Sequence, residues 1–346
     1  MSIRRPTLAH LQQMTDSVGL FEHAKGAQPR LEHGYCSDDA GRAIVVACRS
    51  DERNAADLTN RYVNFLTRMH LHDGRFALRL GVDGGFKDLD TSDDACGRAI
   101  LGLGFAASHA SDAHVREWTG ALFSHAANFR SPWLRAMAYA SLGAAAVLES
   151  HPHDANAQLM LSAAATAIAN AADDQVWPED RLTYANALLP ECLLAAGHHL
   201  NDVHFRQLGL RLLEWLVRHE TNASGEFSFT PVGGRNLDDT RIGFDQQPIE
   251  ASAMADAAAR AYDMTGDKLW SEVTLRAARW FEGANDGSTL MYDPSTDGGY
   301  DGLCKNGPNI NQGAESTIAM INTFERARWA TRHVPSPRRL FESSTR

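Results

Sequence analysis

The chain contains 346 residues and has a formal net charge of −10 at pH 7, with a sequence pI of about 5.8. Its content of 44% hydrophobic and 22% charged residues is typical of a globular protein. Nucleic-acid affinity comes from neutralised phosphates, and no run of Lys and Arg faces an aromatic stripe, so the sequence argues against a nucleic-acid partner.

Cysteine usage and the N-terminal residues predict a cytoplasmic protein. The five cysteines are scattered, odd in number and form no C-x-x-C pair, which favours reduced thiols over a disulfide framework or a zinc site. Residues 1–13 lack the apolar stretch of a secretory signal. The most apolar run, 136–148, is too short to span a bilayer, so we expect no membrane partner.

In chain order, the hydrophobic pattern predicts alternating buried and amphipathic helices. A short opening helix covers 7–14. Segments that are apolar on most faces are typical of buried, inner helices, and they cover 37–49, a stretch from 92, 133–148, 184–196, 248–263 and 313–329. Segments with apolar spacing of three and four are typical of outer helices, and they cover 54–70, 113–128, 154–171, 203–219 and 267–282. A β-hairpin is predicted over 73–86 and a strand over 226–232.

The loop lengths predict how these helices are arranged. Connections from inner to outer helices are short, whereas connections from outer to inner helices are long, so nearly all long loops gather on one face. Loops of that length in a compact domain are usually functional. We therefore predict an all-α fold, an (α/α)6 toroid of six helical hairpins with short β-hairpins in the long loops, forming one domain over 1–330 with a tail over 331–346. A shallower superhelix of the same hairpins is the alternative.

One motif occurs twice at the start of predicted inner helices. Ser37-Asp38-Asp39-Ala40-Gly41-Arg42 returns, with one inserted residue, as Ser92-Asp93-Asp94-Ala95-Cys96-Gly97-Arg98. In each copy the Ser can cap the helix, and the two acids meet the positive end of the helix dipole.

Acids, amides and aromatic rings dominate the long-loop face, and that mixture suits sugars. Aromatic rings stack on the apolar face of a sugar ring, amides and acids hydrogen-bond its hydroxyls, and two carboxylates can carry out acid–base chemistry. The candidate catalytic residues are Asp39, Asp94, Asp245, Glu250 and Glu315. The candidate substrate-binding residues are His33, Tyr35, Asp38, Asp93, Arg135, Trp177, Tyr184, Asn186, Gln246, Gln247, Tyr300, Asp301, Asn309, Asn311 and Gln312.

A structural role for the acids remains an alternative. The paired Asp residues could simply complement helix dipoles, and Glu250 and Glu315 occupy capping-box positions if Gln247 and Gln312 are the caps. The segment 293–304 imitates the start of a calcium loop but has Cys304 where the bidentate Glu belongs, so a structured turn is favoured. No dinucleotide, phosphate-loop or zinc-protease motif is present, and we expect no metal and no cofactor.

The sequence resembles the six-hairpin glycosidase superfamily, the (α/α)6-toroid enzymes that act on glycans. Within that superfamily it is most similar to a group of bacterial glycosyltransferase-associated proteins. The shared segments are 35–39, 181–186, 230–235, 243–250 and 311–317, so the resemblance covers nearly the whole chain. It implies a carbohydrate-active protein with a glycosyltransferase as a neighbour. Catalytic residues cannot be transferred one by one, because families of this superfamily place them on different helices.

The sequence leaves several functions open. A glycoside hydrolase that cleaves a small oligosaccharide with two carboxylates is favoured. N-acylglucosamine 2-epimerases share the toroid and use His as acid and base, but only His33 and His23 are expected near the long-loop face. A phosphorylase or a lyase on the same fold stays open as well, and so does a non-catalytic glycan-binding partner of a glycosyltransferase.

Overall fold

The structure is a computed structural model that describes residues 3–88, 91–173 and 175–333. Within these ranges it contains twelve α-helices and eleven very short strands. No helix in the described residues is both long enough and apolar enough to span a bilayer.

Six helices form a closed inner ring. Neighbours in the ring pack side by side, and the last helix packs against the first, so the ring closes without a gap. This closure confirms the predicted (α/α)6 toroid and rules out the open superhelix. The inner helices are α2 (Ser37–Arg49), α4 (Asp93–His109), α6 (Leu134–Ser150), α8 (Leu188–His199), α10 (Pro248–Thr265) and α12 (Ala314–His333).

The outer helices cover the ring. The five long outer helices each pack on the inner helix that precedes them in sequence, which produces antiparallel helical hairpins. The opening helix α1 is a short outer element that packs against α12. The outer helices are α1 (Ala9–Gln13), α3 (Ala55–Met69), α5 (Ala113–Ala126), α7 (Ala155–Ala171), α9 (Val203–His219) and α11 (Lys268–Phe281).

Glycine contacts explain why the inner helices are rich in small residues. A Cβ on Gly41 would lie 2.1 Å from the carbonyl oxygen of Arg98, and a Cβ on Gly143 would lie 2.5 Å from that of Ile100. Both distances are far inside van der Waals contact. Helices α2, α4 and α6 therefore approach each other at positions where only hydrogen fits.

The short strands lie in the long loops. They form a three-stranded sheet, three two-stranded hairpins and one pairing between two different long loops (Arg181–Leu182 with Arg235–Asn236), all antiparallel. The hairpin predicted over 73–86 is confirmed by β4 and β5. The strands are β1 (Ala24–Lys25), β2 (Gln28–Pro29), β3 (Tyr35–Cys36), β4 (Arg79–Leu80), β5 (Phe86–Asp88), β6 (Arg181–Leu182), β7 (Arg235–Asn236), β8 (Tyr292–Asp293), β9 (Gly298–Gly299), β10 (Gly302–Cys304) and β11 (Gly307–Asn309).

Two predicted elements differ from the structure. The segment 226–232 forms only isolated bridges rather than a strand, because the stacked rings of Phe227 and Phe229 turn into the core and Thr230 bonds to Glu220. Helix α8 begins at Leu188 rather than at 184, because the backbone at Ala185 adopts a left-handed conformation with φ of 44°.

The predicted domain boundary at residue 330 falls inside a helix. Helix α12 continues to His333, three residues past that boundary. The remaining residues of the predicted tail, 334–346, lie outside the described residues.

Candidate active site

A cleft opens on the long-loop face at the N-terminal ends of inner helices α2, α4 and α12. Its volume is about 520 Å³. Four of the five candidate catalytic carboxylates line it: Asp39, Asp94 and Glu315 from the inner-helix starts, and Asp245 from a loop. The loop and rim residues include Glu22, His23, Arg79, Val232, Asp245, Gln247, Asp301, Cys304 and Asn309.

Arg42 joins carboxylates from two neighbouring inner helices at this cleft. One terminal nitrogen donates to Oδ1 of Asp39 at 2.7 Å and lies 2.8 Å from Oδ1 of Asp38. The other donates to Oε2 of Glu315 at 2.7 Å. A single guanidinium therefore fixes the first helix of the ring to the last helix, and it holds two carboxylates from different helices at the floor of the cleft.

The two Asp residues of the first motif copy have opposite electrostatic environments. Burial, reinforced by the carboxylates of Asp38, Glu22 and Glu315, raises the pKa of Asp39 well above its ordinary value, although Arg42 opposes the shift. Burial alone would also raise the pKa of Asp38, but Arg42 and Arg98 together lower it. Adjacent carboxyl groups whose pKa values are pushed apart are typical of a proton donor beside a permanent anion.

Asp94 contributes a third carboxylate, held by Tyr184. The Tyr184 hydroxyl donates a hydrogen bond to Oδ2 of Asp94, and the Tyr184 ring also faces the guanidinium of Arg135 at 4.9 Å. Burial and the Asp94 carboxylate raise the pKa of Tyr184, so its hydroxyl stays a donor. The ring is half-buried, with one side turned to a chamber beside the cleft.

Glu250 lies in the wall of that side chamber. The chamber has a volume of about 420 Å³ and shares Val232 and Gln247 with the cleft. The Glu250 carboxylate accepts hydrogen bonds from the backbone N–H groups of Ala185 and Asn186, at 2.5 and 3.1 Å. Burial and the neighbouring Glu220 raise the pKa of Glu250 to about 8. The same contacts keep residues 185 and 186 out of helix α8.

The opposite side of the cleft comes from the loops before α10 and α12. Asp245 is exposed there and hydrogen-bonds the thiol of Cys304, which together with burial raises the pKa of that thiol to about 11. Asp301 accepts from the Gly313 N–H at 2.8 Å and from the Ser316 hydroxyl at 2.9 Å. The side chains of Asn309 and Gln247 complete this side of the cleft.

Several expected binding residues lie in the core instead. Tyr35 is 1% exposed, stacks on Phe21 and donates to Asp16, and Trp177 is 1% exposed and packs against Trp215. The amides of Asn186, Gln246 and Gln312 are also buried and hydrogen-bond to protein partners. These five side chains face the core and do not line the cleft.

The remaining expected residues lie around the cleft rather than in its lining. Asp93 bonds to Arg75 and to the Ser131 hydroxyl, and Arg135 donates to Glu179 and to Asn186. Asn311 accepts from the Gly26 N–H, and Tyr300 is half-buried beside the α12 loop. His33 lies with Nδ1 3.0 Å from Nδ1 of His23, the one His of the described residues that lines the cleft.

The sequence analysis missed four charged residues of this site. Arg42 and Arg98 occupy the same place in the two motif copies, so the repeat itself marked them. Glu22 and Arg79 form a bidentate ion pair in the cleft wall, in which two guanidinium nitrogens of Arg79 donate to the carboxylate oxygens of Glu22 at 2.6 and 2.7 Å. They lie in different long loops, and no local sequence signal links them.

One group of metal-type ligands occurs among the described residues. The ligand atoms of Glu22, Cys36 and Asp39 lie within 4.8 Å of one another. Two of the three are already paired with arginines, and burial raises the pKa of Cys36 well above that of an ordinary thiol. A protonated thiol between two arginine-bound carboxylates is a poor set of ligands for a cation.

The calcium-like segment is a turn held by protein contacts. Asp293 accepts from the Ser295 N–H at 2.8 Å, and Asp297 bonds to Arg4 and to the Thr7 hydroxyl. The Asp297 carboxylate thereby holds the N-terminal residues against the loop before α12.

The structure resembles those of sugar-processing proteins. A sugar epimerase from a ruminal bacterium superposes with a TM-score of 0.74 at 10% identity, over 96% of this chain and 98% of its own. Cellobiose 2-epimerase from Bacillus thermoamylovorans B4167 superposes with a TM-score of 0.74 at 10% identity, covering 94% and 96%. The GH76 α-mannanase of Bacteroides thetaiotaomicron superposes with a TM-score of 0.64 at 12% identity, over 94% of this chain and 94% of its own.

The fold that this chain shares with these structures is the (α/α)6 toroid. The similarity spans nearly the whole chain, as the resemblance of the sequence implied. No protein-family model matches the sequence, and no curated protein matches it. At identities of 10–12%, the similarity establishes the architecture alone.

Proposed function

We propose that the protein is a glycoside hydrolase that cleaves a small oligosaccharide in the long-loop cleft. The observation that carries the proposal is the Arg42 bridge, which holds Asp39 of α2 and Glu315 of α12 on one guanidinium in different environments. Asp39 is 4% exposed, whereas the Glu315 side chain is 38% exposed. Two carboxyl groups, one kept protonated by burial and one open to solvent, are the requirement for glycoside hydrolysis.

In this mechanism Asp39 is the general acid. Its raised pKa keeps the proton that it delivers to the glycosidic oxygen as the bond to the anomeric carbon breaks. Glu315 stands on the other side of Arg42, where it either attacks the anomeric carbon or removes a proton from the water that attacks. Asp38 stays ionised between Arg42 and Arg98, and its negative charge favours the positive charge that develops on the sugar ring.

Polar groups on the cleft sides would orient the sugar hydroxyls. Asp94, Asp245, Gln247, Asp301 and Asn309 supply acceptors and donors around the cleft. Tyr184 presents a half-buried ring in the adjoining chamber. These residues are proposed substrate contacts, and the protein is proposed to act in the cytoplasm beside a glycosyltransferase.

The test is product analysis with gluco-, manno- and galacto-oligosaccharides, with and without phosphate. We expect a shorter sugar to appear without phosphate, and we expect Asp39→Asn and Glu315→Gln each to abolish most of its release. Asp57→Asn is the matched control, because Asp57 pairs with Arg61 on the exposed side of outer helix α3, away from the cleft. Full hydrolysis by both cleft variants would exclude this pair of residues.

A sugar epimerase or isomerase is the second candidate. His23 lines the cleft and contacts His33, so an imidazole pair is available at its rim. Several solved structures with this fold carry the names of epimerases or of an isomerase. An epimerase would give a product of unchanged length that gains deuterium from D2O at the epimerised carbon, and His23→Ala would stop that exchange.

Product analysis also distinguishes a phosphorylase, a lyase and a non-catalytic protein from a hydrolase. A phosphorylase needs phosphate for turnover, and a lyase leaves an unsaturated, ultraviolet-absorbing product. A non-catalytic glycan-binding protein would be stabilised thermally by a glycan without turning it over.

A further inference from the structure

A second cavity lies at the opposite end of the inner ring, beneath the floor of the cleft. Its volume is about 460 Å³, and side chains from all six inner helices line it. Arg42 lines both spaces and so forms part of the partition between them. The proposed hydrolase mechanism uses no other residue of this second cavity.

Three arginines share two acids inside this cavity. Arg49 and Arg326 both donate to Oδ1 of Asp256, and Arg260 donates from Nε to Glu191 at 3.2 Å. The arginine side chains are only 17–20% exposed. Buried cations are stable when each has its own partner, and here the guanidinium groups outnumber the acids that they contact.

Several guanidinium donors remain without a protein acceptor. Arg326 and Arg260 each donate from Nε alone, so within the described chain their terminal nitrogens bond to no protein oxygen. Asp256 already accepts hydrogen bonds from Arg49 and Arg326 at Oδ1 and from Asn322 at Oδ2, the last at 2.6 Å. The fork of a guanidinium matches the oxygens of a phosphate or a carboxylate, which makes these nitrogens a ready oxyanion site.

The electrostatics of the cluster agree with this geometry. Burial and the nearby Arg326 lower the pKa of Arg49 to about 10, as expected for cations held close together. Burial raises the pKa of Glu191 and of Asp263 although the arginines oppose both shifts, and Asp256 and Glu191 raise the pKa of Arg326 against the effect of burial. Glu149, at the same end of the ring, is paired with His109 at 3.0 Å.

Apolar side chains form another part of the wall, beside the acids Glu149 and Asp263. Val45, Phe105, Leu142, Ile249 and Ile318 line the space next to the arginines. A cavity of a few hundred Å³ with apolar walls and a few fixed polar groups is typical of small-molecule sites. We propose that this second cavity binds a small organic oxyanion, with its phosphate or carboxylate head on Arg260 and Arg326 and its apolar body against the helices.

The competing explanation needs no ligand. The inner helices end at this side of the ring, and arginines stabilise the negative ends of helix dipoles. In that case the arginines would bind no anion beyond ordinary salt screening.

Calorimetric titration of the full chain at constant ionic strength separates the two explanations. The probes are phenyl phosphate, inorganic phosphate and, as a neutral control, phenol. We expect one phenyl phosphate per chain, bound about tenfold more tightly than inorganic phosphate because the ring buries apolar surface. If inorganic phosphate bound as tightly as phenyl phosphate, the arginine site for the phosphate group would stand, but the proposed apolar part of the site would be overturned.

Substitutions then locate the site. Arg260→Gln and Arg326→Gln should each weaken phenyl phosphate binding by about tenfold, as expected for a lost charge-assisted hydrogen bond. Arg218→Gln, on the exposed face of outer helix α9, is the matched control and should bind as the wild type does. Arg260→Lys keeps the positive charge but loses the paired N–H donors of the guanidinium. It is the alternative variant if Arg260→Gln does not fold, and it should also weaken phenyl phosphate binding. No saturable binding by the wild type, or equal binding by Arg260→Lys and wild type, would overturn the proposal.

Discussion

The two copies of the Ser-Asp-Asp motif lie in different environments although their sequences are nearly the same. In α2, Asp38 and Asp39 precede Arg42 by four and three residues, so all three side chains share one helix face and meet in the cleft. In α4, the inserted Cys96 leaves Asp94 four residues before Arg98 but places Asp93 five residues before it. Asp93 then leaves that face and bonds to Arg75 and Ser131.

The difference teaches that register decides which acids act together. One inserted residue rotates the first acid of the second copy by about 100° around the helix. The first copy therefore supplies the proposed proton donor, Asp39, beside an acid with a lowered pKa, whereas the second supplies one cleft carboxylate and one acid that bonds to the loop before α6. Substitutions in one copy at a time test whether the two copies differ in this way.

The largest expected effect is on the buried acid of the first copy. Asp39→Asn should lower kcat/KM for hydrolysis by about 10²–10⁴-fold, because it removes the proposed general acid while keeping the shape of the side chain. The steady-state rate with the oligosaccharide cleaved by the wild type measures it. Asp57→Asn should leave the rate unchanged, and an equal rate for Asp39→Asn would transfer the acid role to another residue.

The next effect concerns the arginine of each copy. Arg42→Met should lower the free energy of unfolding by about 3–5 kcal/mol, because it leaves buried carboxylates without their cation. Arg98→Met should cost less, since Asp38 keeps Arg42. Urea denaturation measures both. A larger loss for Arg98→Met than for Arg42→Met would contradict the bridging role of Arg42.

The pH dependence of activity separates the two acids of the first copy. Hydrolysis should fall as the pH rises through the raised pKa of Asp39, because the donor loses its proton. The free energy of unfolding depends on the same carboxyl group. Because the pKa of Asp39 in the folded state lies above the ordinary 3.8, the folded state holds the proton more tightly than the unfolded state does. The stabilisation from this group is therefore full at low pH and is lost as the pH rises from 3.8 through the raised pKa. Asp38 has the opposite sign, contributing stability that is lost as pH falls through its lowered pKa.

Those signs can be measured in matched variants. Asp39→Asn should reduce the loss of unfolding free energy at rising pH, and Asp38→Asn should reduce the loss at falling pH. The measurement is urea denaturation across a pH series. If both variants change the same side of the stability profile, the two acids do not have separate environments.

A smaller effect is expected at the cleft acid of the second copy. Tyr184→Phe removes the hydroxyl that holds Asp94, at a cost of about 1 kcal/mol, or about fivefold in kcat/KM. Asp94→Asn in the Tyr184→Phe background should then have a smaller effect than in the wild type. Additive effects of the two substitutions would show that the hydrogen bond does not position Asp94.

The smallest effects concern the two serines. Ser92 caps α4 through the Ala95 N–H at a long 3.4 Å, so Ser92→Ala should cost about 0.5 kcal/mol. Ser37 does not cap α2; its hydroxyl donates to the Ala77 carbonyl at 2.5 Å, so Ser37→Ala should cost about 1 kcal/mol by leaving a buried acceptor unpaired. Thermal and urea unfolding measure both, and the reverse ranking would contradict this assignment.

The sequence predicted the toroid well because periodicity reports burial. Inner helix α2 was predicted at its observed bounds, 37–49, and the long loops were placed on the face where the cleft opens. The start of α8 could not be predicted, because the distant Glu250 carboxylate takes the backbone N–H groups of residues 185 and 186. The helix propensity of the residues around 185 carries no information about a contact with a residue so distant in the sequence.

The site was predicted in part. The first turns of inner helices carry Asp39, Asp94 and Glu315 to the cleft, as the loop pattern indicated. Aromatic residues such as Tyr35 and Trp177 share a loop face with these acids in the sequence, but their rings turn inward to fill the core. The direction in which a loop side chain points depends on packing, and periodicity outside a helix does not report it.

The measurement that tests the central claim most directly is mass spectrometry of the product formed in H2 18O. Hydrolysis in the cleft predicts a shorter sugar that carries one 18O at its new reducing end, formed by the wild type and nearly absent with Asp39→Asn. A product of unchanged length, or cleavage without 18O, would contradict a hydrolase and assign the cleft to epimerisation or to phosphate-dependent chemistry.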